Sequence, residues 1–222
     1  VYFYILGGGF EEIKGLGIAK LRHYWDKFGL GKLTGIDAAG ENLGVLPSPE
    51  EKEARTHQPW RIGDTYNVSI GQGDLLVSPV QLLNFIASIG NNGVMYRPSL
   101  VKEIQASVQG MPELRPRLKL LDYSDWQAEV SQANLGMQDA VRREYGTAHL
   151  LSTLRYPTAG KTGSAQIQNN TKTNAFFVGF GPSNDPEIAV LVLIENAKSG
   201  SLNAVPIAKD VFDWYYLHRV SQ

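Results

Sequence analysis

The chain has 222 residues, and its 21 Lys and Arg against 22 Asp and Glu give a formal net charge of −1. This balance excludes a generally basic nucleic-acid-binding protein. The absence of cysteine excludes disulfides, thiolate nucleophiles and Cys-based metal centres. Hydrophobic residues at 43% and charged residues at 19% favour a folded domain over disorder.

The chain begins with an apolar, aromatic stretch from Val1 to Leu6 and has no initiating Met. Because native termini are usually polar, this predicts a fragment whose upstream part is missing. Apolar residues at helical spacing then predict a helix over 15–28. Residues 30–66 are rich in glycine, proline and charge, which predicts a long loop.

The strongest helix start in the sequence lies at Ser78. Ser78 suits an N-cap, Pro79 suits the first helical position, and Gln81 completes a capping box. These residues predict a helix over 78–90. The segment 94–104 is expected to be extended.

The second half of the chain is rich in predicted strands and ends in a helix. Residues 105–120 are ambiguous, whereas 124–145 favour a helix in two pieces. Strands are predicted over 158–168, 174–180 and 188–195, and a closing helix is predicted over 204–217. The third strand lacks alternation, which predicts burial on both faces. Together these elements indicate a layered α/β fold of the α+β type.

The segment Gly160-Lys161-Thr162 resembles the end of a phosphate-binding loop. That loop needs glycine at position 155, where this chain has Arg155, and a helix directly afterwards. Here the residues after Thr162 read as a continuing strand. We therefore reject a phosphate-binding loop.

Lys161, Thr162, Gly163 and Ser164 also fit the Lys-Thr-Gly motif of serine acyltransferases. The Lys161 ammonium would attract a substrate carboxylate, to which the Thr162 and Ser164 hydroxyls would donate. Glycine at 163 would let a ligand approach the backbone, and the N–H near Ser164 would face a developing oxyanion. The alternative interpretation is an ordinary exposed strand end.

Further motifs accompany this segment in a characteristic order. They are Gly63-Asp64-Thr65, Ser69-Ile70-Gly71-Gln72-Gly73, Ser78-Pro79-Val80-Gln81-Leu82, Gly146-Thr147-Ala148, Ala175-Phe176-Phe177-Val178-Gly179-Phe180 and Pro186-Glu187-Ile188-Ala189-Val190. In this order and spacing the sequence resembles the transpeptidase domain of class B penicillin-binding proteins. The likeness is greatest to the elongation-type group, penicillin-binding protein 2, and extends from Val1 to about Tyr216.

The resemblance implies a D,D-transpeptidase that cross-links peptidoglycan stem peptides through an acyl-serine intermediate and is acylated by β-lactams. It implies a five-stranded antiparallel sheet flanked by helices, as in serine β-lactamases, and no cofactor. It also implies the extracytoplasmic face of the bacterial cytoplasmic membrane, with an N-terminal anchoring helix outside this chain. The implied partners are a D-Ala-D-Ala donor peptide, a SEDS-type glycosyltransferase and the elongation machinery, and not nucleic acid.

The family has three site motifs: Ser-x-x-Lys, Ser-x-Asn or Ser-x-Asp, and Lys-Thr-Gly. Only the third maps here, onto Lys161, Thr162 and Gly163, and Ser164 follows where Thr is commoner. The other two motifs are expected upstream of Val1. Residues 1–222 are therefore expected to be the C-terminal portion of one transpeptidase domain, lacking the nucleophile and inactive alone.

Two segments imitate the missing motifs. Ser99 and Lys102 fit Ser-x-x-Lys, but they follow a proline in an extended segment, where positions i and i+3 face opposite sides. Ser201 and Asn203 fit Ser-x-Asn, but they lie in a polar turn expected to cap the closing helix. The four histidines show no metal-ligand spacing.

Two other functions remain open on the same fold. One is a D,D-carboxypeptidase or β-lactamase-type serine hydrolase that uses water as the acceptor. The other is a non-catalytic module that senses β-lactams or binds a partner. The segments Ile70–Gly73 and Ser78–Leu82 favour the transpeptidase over the hydrolase. The residues upstream of Val1 would distinguish it from the non-catalytic module, because a pure binding module lacks the serine.

Overall fold

The computed structural model describes residues 1–104, 113–114, 116–167, 171–197 and 199–220. Its backbone separates into two compact units, Val1–Leu33 with Gly40–Gln81 and Thr34–Ala39 with Leu82–Gln222. Most of the ambiguous segment 105–120 lies outside the described residues.

The first unit contains four helices: α1 (Tyr2–Gly8), α2 (Gly17–Lys27), α3 (Pro49–Thr56) and α4 (Ile62–Ser69). The helix predicted over 15–28 is confirmed as α2. The apolar start of the chain forms α1, and Tyr66 of α4 donates a hydrogen bond from its hydroxyl to Gly9 O at 2.8 Å.

The prediction of a loop over 30–66 is wrong, because this segment contains α3 and the beginning of α4. Its prolines and charges include helix-start signals. Ser48 Oγ accepts a hydrogen bond from Glu51 N at 3.1 Å, and Pro49 occupies the first turn. At the start of α4, Asp64 Oδ2 accepts from the backbone N–H of Arg61 at 2.7 Å.

The helix predicted over 78–90 is confirmed as α5 (Pro79–Gly90), with its capping box. Gln81 Oε1 accepts from Ser78 N at 2.8 Å, and Ser78 Oγ accepts from Gln81 N at 3.3 Å. The Gln81 amide also donates to the carbonyls of Lys32 and Leu43, at 2.7 and 2.8 Å. One buried side chain therefore caps the helix and secures two loop segments.

The second unit contains the strands and two further helices. The strands are β1 (Val94–Tyr96), β2 (Glu103–Ile104), β3 (Glu113–Leu114), β4 (Lys119–Asp122), β5 (Ala159–Ile167), β6 (Lys172–Gly181) and β7 (Ile188–Ile194). The helices are α6 (Gln127–Arg142), which follows a 3₁₀ turn, and α7 (Val205–Tyr215), which follows a π-type turn at Gly200–Ala204. The predicted helices over 124–145 and 204–217 are confirmed, and 94–104 holds the extended segments β1 and β2.

The three strands predicted in the second half form one antiparallel sheet in the order β5-β6-β7. Its register aligns Lys161 with Val178 and Val178 with Leu191. The expected burial of the third strand on both faces is wrong: only Val190 of β7 is buried. The physical reason is that β7 is an edge strand of the described sheet, so its flanks stay partly open to solvent.

Helices cover both faces of this sheet. On one face Phe177 meets Phe212 of α7 edge-to-face, with ring centroids 6.3 Å apart. On the other face Phe180 lies against Gly90 of α5, where an added Cβ would be 3.3 Å from the ring. The largest core cluster comprises Val141, Ala148, Leu151, Tyr156, Phe177, Val190, Ala204, Val205, Ala208 and Phe212. The predicted fold class, an antiparallel sheet flanked by helices, is confirmed.

A carboxylate in the second unit organises the segment that imitates Ser-x-x-Lys. Asp37 accepts hydrogen bonds from Leu100 N at 2.6 Å, Ser99 Oγ at 2.8 Å and Val101 N at 3.3 Å. Ser99 is thus a turn residue in a non-helical segment, as expected. The Leu100 N–H, followed by the Ser99 hydroxyl, lowers the pKa of Asp37 to about 2.

This depressed pKa predicts an acid-sensitive contribution to stability. In the unfolded chain Asp37 would titrate near its ordinary pKa of about 3.9, so its stabilisation is complete above that pH and is lost as pH falls towards 2. Asp37→Asn should lower the urea midpoint at pH 6 and flatten its pH dependence between 4 and 2. Asp125→Asn, at another exposed carboxylate, is the control. Identical pH profiles for Asp37→Asn and the unsubstituted chain would contradict this.

Candidate active site

The residues of the Lys-Thr-Gly segment are consecutive on β5, an edge strand of the described sheet. Side chains alternate along a strand, and paired antiparallel residues share a face. Lys161, opposite Val178, therefore lies on the α5 side, and Thr162, opposite Phe177, lies on the α7 side. The strand edge thus carries an ammonium on one face and hydroxyls on the other.

Lys161 supplies the positive charge at this edge. Its ammonium donates a hydrogen bond to the carbonyl of Thr162 at 2.6 Å, and desolvation by the surrounding protein lowers its pKa. Among the described residues no carboxylate lies within ion-pair distance of it. The charge is therefore available to an anionic ligand.

Gly163 leaves the backbone accessible next to Lys161. A Cβ built at this position would meet only the Phe176 side chain, at 3.4 Å and beyond. The face of β5 that bears Lys161 therefore has room above residue 163. A peptide-like ligand can approach the main chain there more closely than it could beside a bulkier residue.

The hydroxyl of Thr162 has a partner that the sequence motif does not include. Thr162 Oγ1 donates a hydrogen bond to Thr147 Oγ1 at 2.7 Å. Thr147 lies in the loop after α6, fifteen positions earlier in the chain. The Gly146-Thr147-Ala148 motif marked this position in the sequence, but nothing in the sequence indicated its contact with Thr162.

The turn before α7 lies against the end of the same segment. Gly200 N donates to Ser164 Oγ at 3.3 Å. A Cβ at Gly200 would be 2.4 Å from Phe176 O and 2.7 Å from Gly163 O. Only a glycine fits this contact without moving the backbone. No local pattern in the sequence indicates the contact.

The segment that imitates Ser-x-Asn lies in the turn before α7, as expected, but Ser199 rather than Ser201 supplies the side-chain cap of that turn. Ser199 Oγ accepts from Leu202 N at 3.2 Å, and Asn203 Oδ1 accepts from Ser199 N at 3.1 Å. These bonds organise the turn that leads into α7. Across the described ranges, no three His, Asp or Glu side chains are grouped to hold a metal ion.

The arrangement on β5 suits recognition of an extended peptide with an anionic end. It combines an edge strand, an ammonium with no ion-pair partner among the described residues, two hydroxyl side chains and accessible backbone at Gly163. An extended peptide can pair with such an edge through main-chain hydrogen bonds.

Comparison with known proteins identifies the family of this chain. Residues 9–213 match the family described as "Penicillin binding protein transpeptidase domain". The "Peptidoglycan D,D-transpeptidase MrdA" of Haemophilus influenzae is 33% identical over 225 residues, which covers 93% of this chain and 34% of that protein. The Acinetobacter baumannii protein of the same name is 32% identical over 236 residues, covering 98% of this chain and 33% of that protein. The chain thus spans about a third of these relatives.

Solved structures of penicillin-binding proteins have the same fold as this chain. Pseudomonas aeruginosa PBP2 in complex with WCK 5153 superposes with a TM-score of 0.79 at 36% identity, covering 98% of this chain and 47% of that one. PBP2 from Helicobacter pylori in its complex with MreC gives a TM-score of 0.78 at 28% identity, covering 98% and 38%. The chain therefore belongs to the penicillin-binding protein transpeptidase domain family.

Proposed function

We propose that this chain is the C-terminal part of a D,D-transpeptidase domain that cross-links peptidoglycan stem peptides and reacts with β-lactams. The observation that carries the proposal is the Lys161–Ser164 segment on an open strand edge, with the ammonium and the hydroxyls on its two faces. The names of the relatives, peptidoglycan D,D-transpeptidases and PBP2, support it.

The proposed reaction has two acyl-transfer steps. The serine hydroxyl of Ser-x-x-Lys, upstream of Val1, attacks the carbonyl of the penultimate D-Ala. The peptide C–N bond breaks, and D-Ala leaves with the hydroxyl proton on its amine. The amine of a second stem peptide then attacks the ester, forming the cross-linking amide and returning a proton to the serine oxygen.

In this scheme the residues of β5 hold the donor peptide. The donor lies beside the edge of β5, between Lys161 on one face and Thr162 on the other. Its terminal carboxylate is attracted by the Lys161 ammonium and accepts hydrogen bonds from the hydroxyls of Thr162 and Ser164. The backbone N–H of Ser164 donates to the developing oxyanion.

The upstream residues are proposed to complete the domain. They would supply the nucleophile and the strands missing from a five-stranded sheet, pairing with the open edge of β7. Without them that apolar edge is a predicted site of aggregation. The encoded sequence before Val1 tests this directly: it should contain Ser-x-x-Lys, followed near the junction by Ser-x-Asn or Ser-x-Asp.

Substitution of Lys161 tests the site. In the complete protein, Lys161→Ala should slow acylation by a fluorescent penicillin about 100-fold or more, the scale of losing one charge-stabilising group in an active site. Lys172→Ala removes an exposed lysine from β6 and should leave the rate unchanged. The measurement is the second-order rate constant of labelling, with melting temperatures to compare folding.

Three outcomes would count against parts of this proposal. Labelling of the 222-residue chain alone would show that its nucleophile is not missing. Equal rates for Lys161→Ala and the unsubstituted protein would remove Lys161 from the site. Acyl-enzyme that is consumed by water but never by an added amine would favour the hydrolase.

The cellular setting follows from the same proposal. No helix in the described part of the chain is long and apolar enough to cross a bilayer. We expect the complete protein to act on the extracytoplasmic face of the membrane, held by an N-terminal helix. A relative forms a complex with MreC, and another belongs to a peptidoglycan synthase complex, so we expect elongation-type partners here.

A further inference from the structure

Thr147 is held in place by a rigid turn after α6. Gly146 N donates to Arg143 O at 2.8 Å, and Ala148 N donates to Ala140 O at 3.0 Å. A Cβ at Gly146 would be 2.2 Å from Ala140 O, so the turn closes tightly on the helix end. Both neighbours of Thr147 are therefore fixed by main-chain hydrogen bonds.

The two threonines are supported by the same core. Ala148 is 0% exposed and belongs to the cluster that also contains Phe177. Phe177, likewise 0% exposed, is the cross-strand partner of Thr162 on its face of the sheet. The 2.7 Å contact between the hydroxyls of Thr147 and Thr162 thus joins two well-supported pieces of backbone.

The contact between Thr147 and Thr162 is chemically useful because a hydroxyl can accept one hydrogen bond while it donates another. A threonine hydroxyl has one hydrogen to donate and two lone pairs that accept. Because hydroxyl hydrogens rotate, Thr147 can donate to Thr162, leaving the Thr162 hydrogen to point at an anion. A hydrogen bond to a carboxylate is strengthened when its donor hydroxyl also accepts a hydrogen bond.

We propose that Thr147 is a positioning residue that orients the Thr162 hydroxyl towards the terminal carboxylate of the donor peptide or of a β-lactam. The inference rests on the proposed function, since it needs a carboxylate beside Thr162. Thr147 itself does not touch the ligand. Thr147 donates a hydrogen bond to Thr162, and Thr162 donates one to the carboxylate.

The experiment measures the second-order rate constant of acylation by a fluorescent penicillin in the complete protein. Thr147→Val keeps the branched shape and removes the hydroxyl, and should slow acylation about 5- to 30-fold, the range for losing one hydrogen bond. Thr147→Ser keeps the hydroxyl and should stay within about 2-fold of the unsubstituted rate. Thr153→Val removes another exposed threonine hydroxyl, one that donates to Leu150 O, and should have no effect.

Two readouts separate orientation from a merely structural role. The decrease in acylation rate caused by Thr147→Val should disappear when the penicillin carboxylate is esterified, because the Thr162 hydroxyl then has no carboxylate to which it can donate. On a Thr162→Val background, adding Thr147→Val should cost no further rate, because the two hydroxyls act in series.

The outcomes are distinguishable. If the unsubstituted protein is never labelled, the proposed function fails and this inference fails with it. If it is labelled and Thr147→Val reacts at the same rate, only the positioning role is overturned. An equal loss with the esterified penicillin, an additive double variant, or a Thr147→Ser variant as slow as Thr147→Val would also overturn it.

Discussion

Phe177→Ala is expected to lower the free energy of unfolding by about 3–5 kcal/mol, the usual cost of truncating a fully buried phenylalanine. Phe177 is 0% exposed and packs edge-to-face on Phe212. Its ring also fills the space beside Gly160, where a Cβ would lie 2.5 Å from it. Because Phe177 pairs with Thr162, the cavity would open directly beneath the site strand.

Urea unfolding followed by circular dichroism measures this loss. Phe176→Ala is the matched control: it removes the same side chain from the neighbouring position on β6, which faces the other side and is only half-buried. Phe176→Ala should lower the free energy of unfolding clearly less than Phe177→Ala does. Equal destabilisation by the two substitutions would contradict the placement of the core on the Phe177 face.

Gly200→Ala is expected to destabilise the protein by about 1–3 kcal/mol, the range for overpacking. The new methyl group would lie 2.4 Å from Phe176 O and 2.7 Å from Gly163 O, so backbone must move. That movement would separate Gly200 N from Ser164 Oγ, now 3.3 Å apart, and loosen the end of the site strand. In the complete protein, penicillin labelling should therefore fall together with stability.

Gly136→Ala is the control for this substitution. Gly136 lies within α6, and a Cβ there would meet nothing within 4 Å. Alanine should therefore stabilise the helix by up to about 1 kcal/mol. The two glycine substitutions are expected to shift the urea midpoint in opposite directions. A Gly200→Ala variant as stable as the unsubstituted protein would refute the close contact between the turn and β5.

Local sequence signals determined most of the helices and strands. The spacing of apolar residues identified α2, and the Ser78-Pro79 start with Gln81 identified α5. The three strands of the main sheet were also predicted within a few residues of their observed ends. These signals work because a cap, a helical stripe or a strand is decided by residues a few positions apart.

The loop prediction for 30–66 failed for a different reason. The Ser48-Pro49 start of α3 has the same form as the Ser78-Pro79 start of α5, so a local signal was present. Glycine, proline and charge in the surrounding residues outweighed it. Composition averages over a long segment, whereas a helix start depends on two or three residues.

The sequence alone identified the Lys161–Ser164 strand and the family it resembles, because both depend on short runs of adjacent residues. Only the tertiary structure decided that Thr147 meets Thr162 and that Gly200 meets Ser164. Each of these contacts joins residues that are distant along the chain. Such pairs are brought together by the register of the sheet and the packing of the core, which no local pattern encodes.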